Sequence, residues 1–292
     1  MSLEQVDRLR AMLLARRGEQ VTLEERRSRF EAQWAALPLP EDVICTPAHI
    51  RDDLHGLWVE AHGGRADQVL LWLHGGAFML GSSASYRHFG ARLARAAGVR
   101  VLLLDYRLTP EHPFPAALED SAEAIDWLVE QGVGPAHIAV GGDSCGGNLA
   151  LSALQRRWVA GQALPAALWL ISPYLDLTHS GASIIDRAER DPFIDTSGMP
   201  QTAALYLGGA APDDPRASPL FGPVDGLPPT LIQVGSEEVL VDDAQRLANR
   251  LDDVAFQQWV GMIHVWPFFA AMIDEGCWAI AQGGAFVAKY LV

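Results

Sequence analysis

One stretch, Gly141-Gly142-Asp143-Ser144-Cys145-Gly146-Gly147, constrains this chain more than any other. It sets a single serine among glycines where an apolar run, His137-Ile138-Ala139-Val140, gives way to a helical pattern, Asn148-Leu149-Ala150-Leu151-Ser152-Ala153-Leu154. A strand that turns straight into a helix forces the residue at the turn into a strained backbone conformation. The neighbours two before and two after then pass so close that a Cβ would clash. Gly142 and Gly146 satisfy that demand, so Ser144 is the candidate nucleophile of a strand-turn-helix elbow. A glycine-rich turn without chemistry is the plainer alternative, and the strand before and helix after argue against it.

The flanking sequence supplies the frame such an elbow needs. Val43–Thr46 and Leu57–Glu60 read as strands, followed by Val69–Leu73, Val99–Leu104, Ile138–Gly142, Ala167–Ser172, Thr230–Val234 and Val254–Val260. Helical patterns over 86–97, 116–131, 145–160, 241–252 and 277–290 separate the later runs. Unbroken apolar strands alternating with helices predict an α/β fold, a mostly parallel sheet covered on both faces.

Two regions stand apart from that rhythm. Residues 3–17 and 22–36 place Leu3, Val6, Leu9, Met12, Leu13, Leu23, Phe30 and Trp34 at helical spacing on charged segments, and Pro38 and Pro40 end the pattern. Residues 1–40 are therefore expected to be a helical unit lying on a body formed by 41–292. A long excursion between Ala167–Ser172 and Thr230–Val234 carries Asp191-Pro192-Phe193, a helical stretch near 197–207 and a Pro- and Asp-rich run from Ala211 to Pro229. Excursions of this length are usually lids, so about 176–212 is expected to be a cap insertion.

At 292 residues and 49% hydrophobic, the chain suits one large domain with a lid. A formal charge of -14 argues against nucleic acid or an anionic membrane as partner, since either would be repelled. Cys45, Cys145 and Cys277 show neither metal-ligand spacing nor a disulfide framework, so no metal and a reducing, cytoplasmic setting are expected. The charged stretch Met1 to Arg17 lacks the apolar core of a signal peptide, and no apolar run reaches the length that spans a bilayer.

In open sheets the site lies beyond the C-terminal ends of the strands. After Val69–Leu73 comes His74-Gly75-Gly76-Ala77-Phe78, whose bare amides can converge on an oxyanion with the N–H of Cys145. After Thr230–Val234 comes Gly235-Ser236-Glu237-Glu238, with Asp242 and Asp243 suited to capping the next helix; Glu238 is the candidate orienting acid and Glu237 the fallback. After Val254–Val260 comes Gly261-Met262-Ile263-His264, and His264 is the only histidine that follows Glu238. Nucleophile, acid and base in that order predict acyl transfer through Ser144, with His264 as base and Glu238 holding the imidazole. Activity should then fall as pH drops through the histidine's pKa.

Taken together, His74-Gly75-Gly76-Ala77, the run Asp105 to Ala117, Gly142 to Gly147 and Gly261 to His264 resemble the hormone-sensitive-lipase-like (bacterial family IV) carboxylesterases of the α/β-hydrolase superfamily. The resemblance spans about residue 40 to the C-terminus. It implies an eight-stranded sheet, a helical cap, and hydrolysis of small or short-chain esters without a cofactor, with lactone- and acetyl-ester-cleaving members the nearest in pattern. It also implies an oxyanion hole built from Gly76, Ala77 and Cys145, with Gly75 beside them. The chain departs from the family pattern in ending its glycine run at Ala77, in carrying Cys145 where alanine is usual, and in using Glu238 where aspartate is common. Cys145 reads first as a small buried side chain, and the sharper alternative is a thiol whose pKa the helix N-terminus lowers. Phe30, Trp34, Phe78, Phe193, Tyr206 and Trp266 are candidate walls for the substrate. A non-catalytic ligand-binding protein and a peptidase or amidase of the same fold are the alternatives, and the alternating last strand offers a sheet edge to a second copy.

Overall fold

The computed structural model describes residues 3–15, 17, 19 and 21–291. Its elements in chain order are α1 (Leu3–Leu14), α2 (Leu23–Trp34), β1 (Val43–Arg51), β2 (Leu54–Ala61), β3 (Arg65–Leu73), α3 (Ser83–Ala97), β4 (Val99–Asp105), α4 (Ala116–Glu130), β5 (Ile138–Asp143), α5 (Cys145–Val159), β6 (Ala167–Ile171), α6 (Ser183–Asp186), α7 (Met199–Leu207), β7 (Thr230–Gly235), α8 (Val241–Ala248), β8 (Val254–Trp259) and α9 (Asp274–Tyr290). The strands form one eight-stranded sheet in the order β1-β2-β4-β3-β5-β6-β7-β8. β2 runs antiparallel to both neighbours, and β4, β3 and β5 through β8 are mutually parallel. The mostly parallel sheet is what the alternation of apolar runs predicts, and its eight strands are what the resemblance to the α/β-hydrolases implies.

Because successive strand residues face opposite sides, the apolar runs feed two cores. Leu71, Leu73, Leu102, Leu104, Val140, Leu168, Leu170, Ile232 and Val234 pack with residues of α4, α5 and α8, whereas Leu70, Trp72, Val101, Leu103, Ala139, Trp169 and Leu231 pack with residues of α3 and α9. Both faces of the sheet are thus covered by helices.

The N-terminal helices lie on this body. Arg27 of α2 donates to the carbonyls of Met79 and Thr109, each at 2.8 Å, and pairs with Glu111. Arg10 and Arg17 donate to the carbonyls of Arg190 and Ala188 at 2.8 and 3.1 Å, fastening the N-terminal segment to the insertion. Among the described residues no helix is long and apolar enough to cross a membrane.

Several boundaries differ from the sequence expectation for physical reasons. The first hairpin is longer than Val43–Thr46 and Leu57–Glu60, since Pro47 sits on the outermost strand, where a missing ladder donor is tolerated, and Asp52-Asp53 make the turn. α3 begins at Ser83, before residue 86, because Ser82 and Ser85 form a capping box. α8 stops at Ala248, short of residue 252: the Arg250 amide turns back to Leu247, and its guanidinium reaches the carbonyls of Leu220 and Gly222. α9 begins at Asp274 with acidic residues in its first turn, and α6 was not expected. Of the expected first helix, Arg16 lies outside the described residues and α1 ends at Leu14.

Candidate active site

Ser144 stands between β5 and α5 with φ 54° and ψ -120°, a strained backbone held by its own amide donating to Ile171 O at 2.9 Å. A Cβ on Gly146 would lie 1.9 Å from Leu73 O, and one on Gly142 would lie 2.4 Å from the Gly146 carbonyl. No larger residue fits at either place.

After β8 the chain turns at Gly261 (φ 76°), whose amide donates to Ser236 Oγ, and carries His264 back over the strand ends. His264 Nε2 lies 3.0 Å from Ser144 Oγ and its Nδ1 lies 2.8 Å from Glu238 Oε2. Glu238 is fully buried and His264 is 2% exposed. The second carboxylate oxygen of Glu238 accepts from Ser172 Oγ at 2.8 Å and from the Gly235 amide. Ser172 Oγ in turn accepts from the Val265 amide at 3.0 Å, so one hydroxyl ties the acid to the residue after the histidine. In sequence Ser172 reads as the end of a strand; its place directly after β6, at the edge where the other site residues lie, is the signal that marks it.

Burial by itself would hold the His264 pKa down, but the hydrogen bond to Glu238 and its charge outweigh it, and the ring ends above the ordinary 6.5. Burial pushes Glu238 up, and its bond to His264 offsets this only in part. Glu237 faces the insertion instead, paired with Arg190 at 2.6 Å. Asp242 and Asp243 do not cap α8, whose N-cap is Leu240. Asp242 accepts from the Ser183 amide at 2.9 Å, and Asp243 accepts from Leu175 and Asp176 at 2.8 and 3.0 Å. Both therefore hold the chain after β6, because those amides have no strand partner left.

Gly76, Ala77 and Phe78 follow one another at φ 123°, 57° and 61°. Met79 and Leu80 amides donate to Gly76 O, Thr109 N donates to Phe78 O, and Phe78 N donates to Cys145 Sγ at 3.1 Å. Gly75 is not available as an oxyanion donor: its amide donates to Tyr86 Oη at 3.0 Å, and that hydroxyl donates to Asp143 at 2.8 Å. The amides of Gly76, Ala77 and Cys145 remain as candidates. Of the two readings of Cys145 the small buried side chain holds and the lowered pKa does not, because complete burial pushes the thiol up to about 12. His74 stacks on Tyr106 at 4.2 Å, and the Tyr106 hydroxyl donates to His74 O, which fixes the start of the loop.

The candidate wall residues separate into two groups. Phe193 is 43% exposed with its ring 5.7 Å from that of His264 and 5.9 Å from Phe269. Asp191 holds it there: the buried carboxylate accepts from the amides of Phe193, Ile194 and Val239, linking the insertion to the residue after Glu238. Phe30 and Trp34 pack on Phe268 at 6.3 and 4.6 Å, one aromatic layer further out. Phe78 and Tyr206 stack on each other at 3.6 Å and are buried. Trp266 is fully buried against Trp259, because the turn after His264 rolls it into the core. Phe78, Tyr206 and Trp266 are thus core residues in this structure and not walls of the site. Among the described residues no group of three or more His, Cys, Asp or Glu side chains could hold a metal ion.

A family model described as alpha/beta hydrolase fold matches residues 70–268, from β3 through the turn that carries His264. The chain belongs to the alpha/beta-hydrolase family. Within that family it is 43% identical over 264 residues to an acetyl-hydrolase of Streptomyces hygroscopicus, covering 89% of this chain and 86% of that one. An esterase of Acinetobacter venetianus is 38% identical, with 76% of this chain and 75% of the relative covered. The solved structure of an esterase from the bacterial hormone-sensitive lipase family superposes with a TM-score of 0.95 at 40% identity and 99% coverage of both chains. That likeness takes in the N-terminal helices, beyond the stretch from about residue 40 over which the motifs carry the resemblance to the hormone-sensitive-lipase-like family.

Proposed function

We propose that this hydrolase is a serine carboxylesterase that cleaves small or short-chain esters, acetyl esters foremost, through an acyl-enzyme. One observation carries the reading: the unbroken line from Ser144 Oγ through His264 to Glu238, with spacings of 3.0 and 2.8 Å. Nδ1–H of His264 donates to Glu238, which leaves Nε2 as the acceptor for the Ser144 proton. The serine oxygen attacks the acyl carbonyl, and the amides of Gly76, Ala77 and Cys145 receive the negative charge that forms on its oxygen. The imidazolium then protonates the departing alcohol, and water, deprotonated by the same nitrogen, releases the acid and restores Ser144.

In this reading residues 1–40 and about 176–212 form the cap, and Phe193 is the cap residue that meets the acyl group beside His264. The S. hygroscopicus relative's designation as an acetyl-hydrolase supports a small acyl group. The test is a panel of p-nitrophenyl esters graded from acetate to decanoate, with lactones and anilides alongside. We expect a maximum at acetate to butyrate and at least a 10³-fold loss in Ser144→Ala. Equal turnover by Ser144→Ala would end the reading, and anilide cleavage comparable to ester cleavage would shift it to an amidase.

A further inference from the structure

On the opposite edge of the sheet from β7 and β8, the first hairpin brings two histidines face to face. His49 and His55 are paired across β1 and β2, and their Nδ1 atoms lie 3.3 Å apart with the rings at 84°. Sequence spacing alone does not create this pair. Arg51 is opposite Leu54, so a regular ladder would set Ile50 against His55; the irregularity between His49 and Arg51 makes Ile50 the extra residue and moves His49 into register with His55.

We propose that this pair is a zinc-type divalent cation site. Two ligand nitrogens on a tetrahedral ion, each at about 2.0–2.1 Å, stand about 3.3–3.4 Å apart, which is the separation found here. Two Nδ1 atoms at this distance need a proton or a cation between them. Both rings are exposed, so the remaining coordination positions are open to water, and Asp52 borders the same recess of about 440 Å³ with Ile50 and Arg51. Arg51 would repel a cation, but it is engaged by Asp53, Asp120 and Glu123, three carboxylates that offset its charge. A formal charge of -14 favours cation uptake overall. The ion would clamp the turn of an edge hairpin and take no part in the reaction at β5, β7 and β8.

The test titrates zinc into the EDTA-stripped, untagged full chain by calorimetry at pH 7.5. One site per chain is expected, weakening at least tenfold in His49→Ala and in His55→Ala and unchanged in His62→Ala and His112→Ala, which replace exposed histidines outside the pair. Saturating zinc should raise the melting temperature of the parent protein and of neither pair variant, while p-nitrophenyl acetate turnover stays constant. Absence of a stoichiometric site, or a site that survives both pair substitutions, overturns the proposal. So does zinc inhibition at the binding midpoint, which would assign the ion to His264.

Discussion

The substitution Glu238→Gln tests the line of charge at its most informative point. In the parent protein Oε2 accepts from His264 Nδ1, and Oε1 accepts from both Ser172 Oγ and the Gly235 amide. Glutamine keeps one acceptor oxygen and gains an NH₂ donor. If its oxygen stays toward Ser172 and Gly235, the NH₂ faces Nδ1, and the ring must move its proton to Nε2, where it can no longer take one from Ser144. If the amide flips, the NH₂ confronts the Gly235 N–H, a buried donor left without an acceptor at a cost of about 1–3 kcal/mol. In either orientation the imidazolium also loses a charge-assisted partner, worth about 1.5–3 kcal/mol. The combined loss of about 3–6 kcal/mol corresponds to about 10²- to 10⁴-fold in kcat, with KM little changed, because the acid does not touch the substrate. Steady-state kinetics on p-nitrophenyl acetate give the number, and a thermal melt shows whether the variant is folded. A folded Glu238→Gln within tenfold of the parent kcat would refute the assignment of Glu238 as the orienting group.

Three further outcomes are expected. The acid limb of kcat/KM should have its midpoint above 6.5, since Glu238 raises the pKa of His264 and the imidazolium cannot accept the Ser144 proton; a midpoint below 6.5 contradicts that balance. Asp191→Ala orphans the amides of Phe193, Ile194 and Val239, which at about 1 kcal/mol each should lower the melting temperature by about 6 °C and raise KM as Phe193 leaves His264; a melt within 1 °C of the parent would show the strap to be idle. At pH 8 a disulfide reagent should label exposed Cys277 and leave the buried Cys145 and the activity intact, whereas inactivation that disappears in Cys145→Ala would place an accessible thiolate beside the nucleophile.

What was legible in the sequence was whatever a single segment dictates by itself. The elbow is one such feature: Gly142 and Gly146 are required by contacts that the turn makes with itself and with Leu73, and the alternation of apolar runs fixes the two faces of the sheet. Segments that meet only through the fold were read less well. Asp242 and Asp243 have the composition of a helix cap, yet their carboxylates serve amides some sixty or more positions earlier in the chain. Ser172 is marked only by its place directly after β6, because its partners Glu238 and Val265 arrive after two later strands. Gly75 reads in sequence as a bare amide, but Tyr86, from α3, occupies it.

Cys145 shows why the two kinds of inference diverge. Its place at the first turn of α5 is a local fact, and a helix N-terminus carries only about half a positive charge. Its burial is set by Tyr106, Phe78 and His74, which β4 and the loop after β3 bring against the thiol. Removing a thiolate from water costs more than a partial charge returns, and the amide of Phe78 donates as well to a neutral sulfur. The residue is therefore better read as an acceptor that pins Phe78, next to Gly76 and Ala77 in a stretch with three consecutive left-handed residues, than as a second nucleophile. Where a local electrostatic argument meets a burial that only the fold creates, the burial decides the protonation state, and with it the chemistry left to the serine beside it.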